Sequence, residues 1–146
     1  TAFDPTVRKR GRAMGADTTH TSDLVTVDMT KKRVYLYFRG SLTKAQAEKL
    51  REAYRSAITQ VGPGYTAVSI FEDFMPGTAE VQEVISSMIK MADDGGCRAA
   101  ARVGQGGVFG QMQLGRLQRE VEAAYPVHDC QTLAEADTFL DSELAE

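Results

Sequence analysis

Residues 33–71 read RVYLYFRGSLTKAQAEKLREAYRSAITQVGPGYTAVSIF, and the order of patterns within them decides the fold. The first seven, RVYLYFR, alternate so that Val34, Leu36 and Phe38 share one face, as in a strand entering a core. Gly40 interrupts the alternation. Thr43 and Gln46 then stand at capping-box spacing: a hydroxyl accepts a backbone N–H, an amide reaches back, and a helix starts. Ala47, Leu50, Tyr54, Ala57, Ile58 and Val61 recur at helical spacing until Gly62-Pro63-Gly64 stops them. Thr66 to Phe71 is a short, mainly apolar run suited to a strand buried on both faces. A strand, a helix of this length and a second strand imply a parallel, right-handed crossover.

The same alternation extends in both directions. On the N-terminal side, Leu24 to Thr30 is β-branched and alternating, and with residues 33–39 it predicts an antiparallel hairpin. On the C-terminal side, Val81, Val84, Ile85, Met88, Ile89 and Ala92 mark a second helix closed by Asp93-Asp94-Gly95-Gly96. Cys97 to Val103 reads as a strand, Leu114, Leu117, Val121 and Ala124 as a third helix, and Tyr125 to Cys130 as a short strand. Pro126 suits that strand to a sheet edge. Thr132 and Glu135 form a second capping box, and Leu133, Ala136, Leu140 and Leu144 line a closing helix. The order is ββαβαβαβα: an α/β fold with a mixed, mostly parallel sheet, an N-terminal hairpin and about four helices.

Size and charge agree with one domain. The chain has 146 residues, a net charge of −3 and no Trp. Residues 1–23 lack periodicity and carry Arg8, Lys9, Arg10 and Arg12, so they read as a flexible basic arm, and 24–146 as the domain. The arm is +1 and the body −4, which argues against a nucleic-acid partner. No apolar run approaches the ~20 residues of a membrane span, and no secretory signal opens the residues given, so a soluble cytoplasmic protein is expected. An uncovered hairpin edge would offer a route to a homodimer.

Chemical motifs are sparse. Cys97 and Cys130 fall at opposite ends of different strands, too far apart for a disulfide. With His20 and His128 as the only histidines and no CxxC, no metal site or other cofactor is expected. The glycine-rich run 104–110 lacks the spacing of a phosphate-binding fingerprint, since Phe109 stands where a glycine is needed. Glu72 and Asp73 point to opposite sides of an extended segment, and His128-Asp129 has no nucleophile context. No catalytic set emerges.

Three stretches carry a resemblance. VYLYFRGSLT (34–43), Asp94-Gly95-Gly96 after the second helix, and TLAEADTFL (132–140), with the element order, resemble the STAS fold of sulfate transporters and anti-sigma-factor antagonists over about residues 24–145. The resemblance implies a non-enzymatic regulatory module that binds a protein partner through its second helix and the loop before it. In the antagonist branch a hydroxyl at the start of that helix is phosphorylated by a partner kinase, which places the corresponding site near Thr78. As a plain helix cap, Thr78 needs no further role. Phe74, Met75, Gly77, Phe109 and Met112 are the expected partner or ligand surface. The alternative is a small-molecule or lipid-binding crevice at the N-termini of the second and third helices.

Overall fold

In a computed structural model of the chain, the residues described are 18–22, 24–75, 77–105, 116 and 119–145. The strands are β1 (Thr18–Ser22), β2 (Val25–Asp28), β3 (Arg33–Arg39), β4 (Thr66–Glu72), β5 (Ala99–Gln105) and β6 (Val127–Cys130). The helices are α1 (Lys44–Val61), α2 (Ala79–Asp94) and α3 (Leu133–Ala145). The six strands form one sheet whose spatial order is their sequence order. β1, β2 and β3 pair antiparallel; β3, β4, β5 and β6 pair parallel. The fold is therefore α/β with the mixed, mostly parallel sheet expected. The third helix of the sequence reading lies largely outside the described residues, which are helical there at 116 and 119–121.

Sequential strand order fixes where the helices go. Each step from β3 to β4 to β5 moves the same way across the sheet, so right-handed crossovers place α1 and α2 on one face. The larger core fills that side: Val34, Leu36, Phe38, Ala67 and Phe71 from the sheet meet Leu50, Tyr54, Ala57, Val84, Ile85 and Met88 from the helices. α3 follows the edge strand β6 and turns back over the opposite face, where Val68, Ala101, Val103 and Cys130 meet Ala136 and Leu140. β4 thus serves both cores, with Ala67 and Phe71 on one side and Val68 on the other.

Two boundaries differ from the sequence reading. Residues 18–22, assigned to the arm, form β1, which covers the outer edge of β2 with a register shift between His20 and Ser22. Their sequence, TTHTS, has no apolar alternation, yet pairing is a backbone interaction and β-branched Thr accepts the extended geometry. Among the described residues, β1 and not β2 is therefore the outer strand at this end of the sheet. Cys97 precedes β5 and does not open it; its N–H donates to Ala92 O (3.0 Å), which ties the exit of α2 to the sheet. Both cysteines are buried and free. Since Val103 pairs with Cys130, the Cys130 thiol lies at the far end of β5 from Cys97. Among the described residues, no helix is long and apolar enough to cross a membrane.

Candidate functional site

The carboxyl ends of β3 and β4 meet the N-termini of α1 and α2 at one corner. Gly40 links the two loops: its N–H donates to Glu72 O (3.0 Å) and its carbonyl accepts from Met75 N (3.0 Å). Arg39 and Glu72, level with one another at the strand ends, pair at 2.5 Å. After β4 the chain turns through Asp73 at φ 53°. That turn drives Phe74 inward, so the side chain read as surface is 1% exposed. Its ring packs on Phe38 and Phe71 at centroid distances of 5.5 and 5.6 Å, completing an aromatic cluster in the core. Phe74 is thus an anchor beneath the corner and no part of its contact surface.

Met75, one residue on, is 53% exposed. Gly77 is half-buried, and a Cβ on it would sit 2.6 Å from Val81 Cγ1, so the loop can approach the first turn of α2 this closely only with glycine there. Thr78 is exposed and is the N-cap of α2: its hydroxyl accepts from Val81 N (3.3 Å). Gln82 reinforces the turn by donating from Nε2 to Gly77 O (3.1 Å). Met75, Gly77 and Thr78 thus lie along the loop that leads into α2. Phe109 and Met112 lie outside the described residues.

Of the crevice expected between Phe74 and Phe109, the structure describes only the Phe74 side, where the ring is taken up by the aromatic cluster. A cavity of about 50 Å³ lies further along the same face of the sheet, among Leu36, Tyr54, Ile85, Met88, Ala100 and Arg102. It has room for a few waters, well under the roughly 300–1,000 Å³ of sites for drug-sized ligands. A second, open groove of about 430 Å³ between α1 and α2 is lined by Arg51, Arg55, Lys90, Asp94, Ser87 and Met91, a mainly charged wall unsuited to a lipid chain.

Away from this corner, the structure groups three residues that the sequence reading left apart. One ligand atom each of His128, Cys130 and Glu135 lie within 4.8 Å of one another at the β6–α3 junction. The expectation of no metal-ligand spacing rested on cysteine and histidine pairs. The signal that exposes this set is His-x-Cys on a strand, which puts both side chains on one face, followed by the third residue of a capped helix. Burial pushes the Cys130 thiol pKa above its ordinary value, and the nearby carboxylates of Glu135 and Asp129 add to the shift. Cys97 is pushed up to about 12, first by burial, with hydrogen bonding to Tyr65 and to the Ala99 backbone partly opposing it and Asp93 adding to it. Neither thiol is set up as a nucleophile. Compared with models of known protein families and with curated proteins, the chain matches none.

Proposed function

We propose that the chain is a non-enzymatic, STAS-like regulatory module of the cytoplasm that binds a protein partner through the loop before α2 and the helix start. The observation that carries this reading is Met75: a large apolar side chain 53% exposed on a loop braced from both sides. Phe74 fixes the loop from below, and the Met75 N–H bond to Gly40 fixes it from the side. A rigidly presented apolar side chain loses little freedom on docking, which favours a partner contact. Thr78, exposed three residues away, sits where a phosphate would meet the first N–H groups of α2 and the positive end of its dipole. Phosphorylation there would add negative charge beside Met75 and switch the contact. Among the described residues, neither the cavity of about 50 Å³ nor the charged groove between α1 and α2 gives the small-molecule reading comparable support.

The test separates docking from stability. Asp caps a helix as well as Thr does, so Thr78→Asp is expected to leave the melting temperature within a degree or so, whereas Thr78→Ala costs about 1 kcal/mol. A protein captured by the wild-type chain and lost with both Met75→Asp and Thr78→Asp, at unchanged melting temperature, supports the reading. Capture unaffected by either substitution sinks it. Mass spectrometry of the chain after exposure to a kinase-competent lysate tests the switch, and an unmodified Thr78 throughout removes that part.

A further inference from the structure

The β6–α3 junction has the makings of a metal centre. His128 and Cys130 are two residues apart on β6, so they project from the same face of the edge strand. The chain then turns through Gln131 and Thr132, and α3 brings Glu135 back over that face in its first turn. A nitrogen, a sulfur and an oxygen thereby stand within 4.8 Å of one another.

Each of the three is oriented by its surroundings. The Glu135 carboxylate accepts the Gln131 N–H through Oε1 (3.2 Å), which leaves Oε2 to point elsewhere. The His128 ring stacks on Phe139, one helical turn beyond Glu135, at a centroid distance of 4.4 Å and an interplanar angle of 19°. Among the described residues, the hydrogen bond the Cys130 thiol makes is a long one, 4.0 Å to the His128 carbonyl, which a metal would readily replace. Cys130 is buried, while His128 and Glu135 are exposed, which gives a sulfur at the base of the cluster and two adjustable ligands at its mouth.

We propose that His128, Cys130 and Glu135 bind a zinc-class divalent cation. The donor set selects the class: thiolate and imidazole suit borderline cations such as Zn²⁺ and Co²⁺, whereas Mg²⁺ and Ca²⁺ take oxygen ligands. With Zn–S near 2.3 Å and Zn–N near 2.0–2.1 Å, ligand atoms in a tetrahedral site stand roughly 3.3–3.8 Å apart. Reaching that spacing from 4.8 Å requires the two exposed side chains, His128 and Glu135, to close in by about 1 Å. Three protein ligands leave a fourth position for water.

The experiment uses the full chain, stripped with a chelator and titrated with Co²⁺. One equivalent is expected to produce a thiolate-to-cobalt charge-transfer band in the near ultraviolet, displaced by Zn²⁺. Cys130→Ser is expected to abolish the band and Cys97→Ser to preserve it, and His128→Ala and Glu135→Gln to weaken binding by roughly tenfold or more each. Affinity should fall as the pH is lowered, because imidazole and thiol must lose their protons to bind. A second measurement needs no variant: one equivalent of Zn²⁺ should slow alkylation of Cys130 at least about tenfold, reversed by chelator. Absence of the band, its survival in Cys130→Ser, or an alkylation rate indifferent to zinc overturns the proposal.

Discussion

Arg33 is fully buried, and its guanidinium is shared among three partners. Nε donates to Thr66 Oγ1 (2.9 Å), Nη1 to Asp137 (2.8 Å) and Nη2 to Asp141 (3.0 Å). Burial works against the charge, yet the two carboxylates outweigh it and hold the Arg33 pKa above its ordinary value. Tyr35 adds its hydroxyl to Asp137 (2.8 Å), so one carboxylate satisfies two groups of β3. These bonds fasten α3 to the sheet, and the two carboxylates differ in value. Asp137 is 27% exposed and doubly engaged; Asp141 is 52% exposed and water can replace much of what it gives. Asp137→Ala should therefore cost about 2–4 kcal/mol, since it strands a buried cation, and Asp141→Ala about 1 kcal/mol or less. Urea denaturation of the two variants checks the order. Equal losses would mean that burial of Arg33 is compensated in some other way.

At the scale of elements, helix ends are where the chain is most legible. Thr43 and Gln46 make the reciprocal cap of α1 as their spacing required, with bonds of 3.1 and 2.9 Å. Gly96 closes the other boundary, taking φ +88° after α2. A Cβ there would meet Pro63 Cβ at 2.9 Å and Pro63 Cα at 3.0 Å, so two glycine-bearing turns pack against each other, joined by the Gly64 N–H bond to Gly96 O (2.8 Å). Gly96→Ala combines left-handed strain with overlap against backbone, and is expected to cost roughly 2–3 kcal/mol. A lower urea midpoint at unchanged m-value is the signature; an unchanged midpoint would mean that the turn relaxes freely. What was not legible has a common cause. β1 is held by backbone pairing that leaves no apolar period, Phe74 is buried by a positive φ at Asp73, and the His128–Cys130–Glu135 set depends on how α3 folds back over β6. Periodicity reports which face of an element is apolar, whereas these features depend on how consecutive elements are joined.

For the molecule as a whole, sheet order equal to sequence order puts α1 and α2 over one core, with Val121 packed beside them, and among the described residues α3 covers the other. The larger core encloses neutral acids as well as hydrocarbon. Tyr54 and Tyr65 share a hydrogen bond between hydroxyls (2.8 Å), and both are pushed above the ordinary tyrosine range, burial being the main cause. Cys97 beside them is held at about 12 against an ordinary 9.0, and burial raises Tyr35 on the other face. All four shifts have the same sign. In the unfolded chain the thiol ionises near its ordinary value and the tyrosines near theirs, while the folded state still holds those protons; between the two values the unfolded state binds fewer protons, so stability declines as pH rises. The contribution is complete below about pH 9 and is lost from there upward, the thiol first and the tyrosines from about pH 10. Urea midpoints measured between about pH 8 and about pH 11 should fall steadily once pH 9 is passed. Cys97→Ala, though less stable overall, should make the fall between about pH 9 and about pH 10 shallower, because it removes one of the two raised thiols and leaves only Cys130 to ionise ahead of the tyrosines. A midpoint that stays level to about pH 11 would show that the core admits water to these hydroxyls, and with it that the packing around Tyr54 and Tyr65 is looser than their burial implies.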